Sequence, residues 1–92
     1  MLKRFVIERN IPAVGKMTGQ DLKGAAQASN AALSQLAPRV QWEHSYVAGD
    51  KTFCIYLAED EEAIREHARL SGFPANTITP VSRIIDPTTA AG

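Results

Sequence analysis

The chain has little of several features that mark common protein classes. Its 92 residues include one cysteine, Cys54, which excludes an internal disulfide and the even cysteine set of small secreted scaffolds. Ten basic residues balance ten acidic ones, which argues against a broad nucleic-acid surface because such surfaces cluster lysine and arginine. The apolar run near the N-terminus is too short for a signal peptide or a membrane span. These absences predict a cytoplasmic location, with no nucleic acid and no membrane as partner.

Common catalytic and metal-binding motifs are also missing. The sequence has no HExxH, no CxxC, no glycine-rich phosphate loop and no nucleophile elbow. What is present is a composition of 45% hydrophobic and 22% charged residues, which is typical of a globular chain. Because a chain this short builds one core, we expect a single domain over residues 1–87 and a disordered tail at residues 88–92.

The spacing of apolar residues predicts six secondary-structure elements. The predicted strands cover residues 2–9, 40–47, 52–58 and 78–86, and the predicted helices cover residues 18–37 and 61–71. Thr18 and Asp21 form a variant of the capping box at the start of the first helix, and Pro38 ends that helix. Pro80 lies inside the last strand, which predicts that this strand is at an edge of the sheet.

The order of the elements predicts an α+β domain with the ferredoxin-like βαββαβ arrangement. In this arrangement both helices cover the same face of a four-stranded antiparallel sheet. The third strand is nevertheless apolar on both faces, with Phe53, Ile55 and Leu57 on one and Cys54, Tyr56 and Ala58 on the other. An uncovered apolar face would be a larger patch than most monomers expose. We therefore expect a homodimer in which a second copy covers the open face, the alternative being a monomer with a mildly apolar surface.

His44, in the middle of the second strand, is the first candidate for a functional site. Imidazole is the commonest metal ligand and titrates near neutral pH, whereas the alternative is a histidine hydrogen-bonded in the core or at the subunit contact. Regular alternation along residues 40–47 predicts that Trp42 and His44 point to the same face of this strand. The side that His44 faces depends on the hairpin that follows. A two-residue loop at Gly49-Asp50 places it on the face of Phe53, and a three-residue loop with a bulge places it beside Cys54.

Four further residues are candidates. A Glu8 carboxylate that points into a dimer cavity needs a cation or a metal, whereas the alternative is a solvated charge that pairs with Arg9. Cys54 binds a metal only if a cation or a metal lowers the pKa of its thiol, and it is otherwise a small core residue. Tyr46 and Tyr56 can donate hydrogen bonds to a cofactor or small ligand in the cavity, the alternative being aromatic packing.

Several segments together resemble one known family. They are FVIER at residues 5–9, WEHSYV at 42–47, KTFCIY at 51–56 and DEEAIRE at 60–66. In these segments the chain is similar to a small bacterial nickel-binding-protein-like family, a domain of unknown function. The resemblance implies a ferredoxin-like fold, a homodimer of the dimeric α/β-barrel kind and a divalent metal, which is nickel in one member. The polar positions that the chain shares with the family are Glu8, His44, Tyr46 and Cys54.

Three functions are compatible with these residues. The first is a dimeric protein that binds a divalent metal, nickel or zinc, through His44, Glu8 and Cys54. The second is a cofactor-free enzyme of the dimeric α/β-barrel type, in which His44 acts as a base beside a concave, partly apolar pocket. The third is an assembly module without chemistry.

Overall fold

The computed structural model describes all 92 residues and contains the six elements in the predicted order. The strands are β1 (Lys3–Asn10), β2 (Val40–Ala48), β3 (Lys51–Ala58) and β4 (Thr77–Pro80), and the helices are α1 (Gly19–Leu36) and α2 (Glu61–Ser71). Two short 3-10 helices cover Val14–Lys16 and Pro87–Ala91. The prediction of an α+β fold with the ferredoxin-like arrangement is confirmed.

The strands form one antiparallel sheet in the order β2-β3-β1-β4. This order places β2 and β4 at the edges, where Pro80 costs no ladder hydrogen bond. Strand β4 ends at Pro80, earlier than the predicted end at residue 86. The reason is its neighbour: Phe5 already pairs with Pro80, and β1 begins at Lys3, so little of β1 remains to pair with.

The two faces of the sheet differ in what covers them. On the covered face, apolar side chains of the sheet pack with side chains of both helices in one core that includes Phe5, Ile7, Leu36, Cys54, Tyr56, Ala63 and Ile64. On the open face no helix packs, and its side chains on β1 and β3 are only partly buried: Arg4, Val6, Glu8, Phe53, Ile55 and Leu57. Burial of the apolar residues on the covered face supplies the main driving force for folding.

A β-bulge in β2 decides which residues of this strand lie on each face. Trp42 and His44 pair with consecutive residues of β3, so Glu43 is the extra residue of the bulge. Beyond the bulge, His44 and Tyr46 lie on the open face, whereas Trp42 lies on the covered face. The regular alternation predicted for this strand, with Trp42 and His44 on one face, is therefore wrong, because the inserted residue shifts the pleat by one position.

The β2–β3 hairpin has the two-residue loop, which is one of the two registers left open by the sequence. Ala48 pairs with Lys51, and Gly49 in the loop has a φ of 61°, a conformation that favours glycine. The segment between β1 and α1 is attached to this turn, because the amide of Gly15 donates to the carbonyl oxygen of Gly49 at 2.7 Å. Asp50 also contributes, since its carboxylate accepts from the amide of Ala13 at 2.7 Å.

Capping residues fix the ends of both α-helices. Thr18 and Asp21 form the predicted capping box at the start of α1. Asp60 accepts a hydrogen bond from the amide of Ala63 at the start of α2, and Gly72 ends α2 in the left-handed conformation. No helix is both long enough and apolar enough to cross a membrane. The 3-10 helix near the C-terminus is exposed along its whole length.

Candidate functional site

The five residues proposed as a site from the sequence are divided between the two faces of the sheet. Glu8, His44 and Tyr46 lie on the open face, and Cys54 and Tyr56 lie on the covered face. Because the sheet backbone separates the two groups, His44, Glu8 and Cys54 of one chain cannot surround a single ion. In agreement with this, no three His, Cys, Asp or Glu side chains of the chain are arranged to hold a metal ion.

On the open face, His44 and Tyr46 form one contact. The Nε2 atom of His44 lies 3.2 Å from the hydroxyl oxygen of Tyr46, and the two rings meet edge to face with centroids 5.1 Å apart. Both side chains are exposed, Tyr46 to 60%. When Nε2 carries the proton and donates to Tyr46, the lone pair on Nδ1 is available to a metal ion.

Glu43 is a second polar residue at this place, and sequence reasoning missed it. The Nε atom of Arg4, on the open face of β1, donates to the Glu43 carboxylate at 2.8 Å, which shows that this carboxylate extends over the open face. The hydrogen bond from Arg4 holds the pKa of the Glu43 carboxyl below its usual range, and the nearby His44 also lowers this pKa. The bulge thus gives two consecutive residues, a carboxylate and an imidazole, to one face. The sequence carries no signal for this bulge.

No hydrogen bond or ion pair joins Glu8 to His44 within the chain. Its carboxylate pairs with the ammonium group of Lys51 at 3.6 Å, and not with Arg9 as the sequence alternative had it. Strand β3 lies between β1 and β2, so the width of a strand separates Glu8 from His44. Glu8 is therefore a solvated strand-end charge in the single chain.

A cavity of about 220 Å³ lies on the covered face, between the sheet, the first 3-10 helix and α1. Most of its wall is apolar, and Trp42, Cys54 and Tyr56 belong to it. Met17 and Val47 also line the cavity and are exposed, so it reaches the surface beside them. The cavity is on the side of the sheet opposite to the side chain of the exposed His44. The single chain therefore offers this cavity no histidine base from β2.

A buried hydrogen-bond network lies next to this cavity. The Ser29 hydroxyl of α1 is 3.3 Å from the hydroxyl of Tyr56 and 3.1 Å from Nε2 of His67 on α2. Burial raises the pKa of the Tyr56 hydroxyl. Burial and the charge of Arg9 lower the pKa of His67 to about 4. Tyr56 and His67 are therefore both neutral near pH 7.

Arg9 is the most unusual polar residue of the covered face. Its side chain lines the cavity, yet the residue is only 3% exposed. Nη1 donates to the carbonyl oxygen of Pro74 at 2.8 Å, and the guanidinium carbon lies 5.8 Å from the ring centroid of Tyr56. Nη2 is buried and has no hydrogen-bond partner. No ion pair of the structure includes Arg9, so its charge has no acidic counterpart.

Cys54, proposed from the sequence as a metal ligand, lies in the wall of the cavity. Its thiol is buried and donates a long hydrogen bond to the hydroxyl of Thr52, with 3.5 Å between Sγ and Oγ1. This environment is that of a small core residue.

Comparison with known proteins identifies related chains. The model of a family described as nickel responsive protein SCO4226-like matches residues 5–81. The crystal structure of SCO4226 from Streptomyces coelicolor A3(2) is similar, with a TM-score of 0.74 and 21% sequence identity, and the match covers 89% of this chain and 99% of that chain. At this identity the structural likeness shows a shared fold. No curated protein matches the sequence.

Proposed function

The chain belongs to the SCO4226-like family, whose description is nickel responsive protein. We propose that the chain forms a homodimer and that this dimer binds a divalent metal ion, nickel, on the open face of its sheet. The observation that carries the proposal is the bulge of β2, which places Glu43 and His44 side by side on that face. Imidazole and carboxylate are ligands that suit nickel and zinc.

The need for a second copy follows from the number of ligands. One chain offers one imidazole and one carboxylate at the bulge, and no group of three. A two-fold pair of chains brings together two copies of His44 and two of Glu43. These four ligands are enough to complete a four-coordinate metal site. In this proposal the metal ion and the subunit contact therefore depend on each other.

The apolar surface of the open face supports pairing of two chains. Phe53, Ile55 and Leu57 of β3 are only partly buried there, and Tyr46 beside them is 60% exposed. A second sheet packed on this face would remove these side chains from water, which stabilises a dimer by roughly 25 cal/mol for each Å² of apolar surface buried. Two such sheets packed face to face would also resemble the packing of the two sheets in a β-sandwich.

Arg4 competes with the proposed metal ion for the Glu43 carboxylate, so substitutions of His44 and Arg4 are expected to change nickel affinity in opposite directions. Replacement of His44 with alanine is expected to weaken nickel binding at least tenfold, because it removes the imidazole ligand. Arg4→Met is expected to strengthen nickel binding, because it releases the Glu43 carboxylate. Cys54→Ser, on the covered face, is the matched control and leaves the affinity unchanged. Titration calorimetry with nickel chloride measures all four forms.

Two results would contradict the metal site. Equal nickel affinity of the His44→Ala variant and the unchanged protein removes His44 as a ligand. Loss of nickel binding in the Cys54→Ser variant moves the site to the covered face.

The dimer is tested separately by sedimentation velocity. Ile55→Asp puts a charge in the middle of the open face and is expected to give monomers, because an unpaired charge at an apolar contact is costly. Gln27→Asp, an exposed position of α1, is the control and leaves the sedimentation coefficient unchanged. A monomer of the unchanged protein over the whole micromolar range would refute the pairing.

A further inference from the structure

Arg9 and the cavity of the covered face make a second site, independent of the open face. We propose that this cavity binds a small organic molecule with one carboxylate group, and that Arg9 is the counter-ion of that carboxylate.

The charge of Arg9 lacks a partner inside the chain. A guanidinium group stays protonated in proteins, and a buried charge is costly unless an opposite charge or a full set of hydrogen bonds accompanies it. Here Arg9 contacts the carbonyl oxygens of Phe73 and Pro74 through Nη1 and the ring of Tyr56, but its buried Nη2 has nothing to donate to. A carboxylate in the cavity beside the guanidinium supplies the missing negative charge.

Two hydroxyl groups of the cavity wall have their hydrogen atoms free for the same ligand. The Ser45 hydroxyl oxygen accepts from Nε1 of Trp42 at 2.9 Å, and the Thr52 hydroxyl oxygen accepts from the thiol of Cys54 at 3.5 Å. Because each oxygen already accepts, each O–H is left to donate. The cavity therefore presents donors, and a carboxylate, which only accepts when ionised, is complementary to them.

The size and polarity of the cavity define the rest of the ligand. A cavity of roughly 150 Å³ lined by apolar side chains is enough to bind benzene. The cavity here, about 220 Å³ with a mostly apolar wall, therefore accommodates one ring or a short aliphatic chain together with a carboxylate. A single guanidinium balances one negative charge, so a monoanion fits the site better than a dianionic phosphate. Phenylacetate has the required size, apolar part and charge.

The test uses phenylacetate and its uncharged amide, phenylacetamide, as matched probes. Trp42 is the one tryptophan of the chain and lines the cavity, so its fluorescence reports occupancy directly. Phenylacetate is expected to bind saturably and at least tenfold more tightly than phenylacetamide, since only the anion neutralises Arg9. Changes in amide chemical shifts in the strands around the cavity locate the binding.

Variants separate the charge from the shape of the site. Arg9→Met keeps the length of the side chain without its charge, and it is expected to weaken phenylacetate binding at least tenfold while phenylacetamide binding is unchanged. Arg83→Met, at an exposed arginine outside the helices and strands, is the control and affects neither probe. Ala26→Phe fills the cavity from α1 and is expected to abolish binding of both probes. Circular dichroism confirms the fold of each variant.

Three results would overturn the proposal. The first is equal affinity of the unchanged protein for phenylacetate and phenylacetamide, which needs no variant to fold. The second is full phenylacetate affinity in a folded Arg9→Met variant. The third is the absence of saturable binding of phenylacetate, benzoate and hexanoate by the unchanged protein up to about 10 mM, which is ten times a dissociation constant of about 1 mM.

Discussion

The hydroxyl oxygen of Ser29 lies 3.1 Å from Nε2 of His67, and this hydrogen bond joins α1 to α2 inside the core. The same oxygen lies 3.3 Å from the hydroxyl of Tyr56 on β3, so one serine connects both helices with the sheet. The other ring nitrogen of His67, Nδ1, is buried and has no partner. A proton added to this ring would thus create a charged group that the core cannot stabilise.

The pH dependence of stability follows from His67. Burial lowers the pKa of His67 from 6.5 to about 4, so between these values the unfolded chain binds a proton that the folded chain does not. The free energy of unfolding therefore has its full value above pH 6.5. It falls by up to about 3 kcal/mol as the pH is lowered from 6.5 towards 4. Below pH 4 both states carry the proton and His67 causes no further loss.

Urea denaturation over this pH range measures the effect. His67→Gln is expected to flatten the pH dependence between pH 6.5 and 4, because the titrating group is gone. Asn30→Ala, at an exposed position of α1 without a titratable group, is the control and keeps the dependence of the unchanged protein. The same slope in the His67→Gln variant and the unchanged protein would refute the assignment to His67.

Gly15 is expected to tolerate no side chain. A Cβ atom at Gly15 would lie 2.9 Å from the carbonyl oxygen of Gly49 and 3.0 Å from its nitrogen, and both are backbone atoms that cannot move aside alone. Gly15→Ala should lower the free energy of unfolding by about 1–3 kcal/mol, the usual cost of an overpacked contact. Thermal unfolding followed by circular dichroism measures the change.

Gly24 provides the matched control for this substitution. It lies inside α1, and a Cβ atom there would meet nothing within 4 Å. Gly24→Ala is therefore expected to raise the free energy of unfolding by about 0.5–1 kcal/mol, because alanine loses less conformational freedom in a helix. An equal effect of the two substitutions would show that the segment around Gly15 does not pack against the hairpin turn.

Asp60 and Asp86 are each the N-cap residue of a helix, and their substitution should affect stability to different extents. Asp60→Ala removes the hydrogen bond of 2.8 Å from the amide of Ala63 at the start of α2, and a loss of about 1 kcal/mol is expected. Asp86→Ala removes the cap of an exposed 3-10 helix outside the core, so the midpoint of denaturation should not move. A comparable loss in both variants would mean that the C-terminal segment is part of the cooperative fold.

Helix α2 shows how much the sequence can predict when both ends carry a signal. Asp60 as the N-terminal cap and Gly72 as the C-terminal cap define it, and the predicted and observed bounds, Glu61–Ser71, are the same. The extent of β4 could not be predicted in this way. The length of a strand depends on how far its partner strand extends, and the residues of β4 themselves do not indicate where β1 begins.

The candidate site was less predictable, for two different reasons. The bulge at Glu43 puts Trp42 and His44 on opposite faces of the sheet, and nothing in the composition of β2 marks the extra residue. The burial of Arg9, by contrast, had a signal, because Arg9 shares the period of two with Phe5 and Ile7 and must face the same side. A charged residue at a strand end is usually solvated, so the alternation alone does not predict that the guanidinium group is buried.

The bulge also has a consequence for how this strand can change in length. Removal of one residue from a strand ordinarily turns every later side chain to the opposite side. Trp42 and His44 already pair with adjacent residues of β3, so a chain that lacks Glu43 would keep all its other pairings, with the imidazole where it is now. Insertion and deletion at this single codon can therefore add or remove a carboxylate next to a fixed histidine, and leave the remainder of the domain undisturbed.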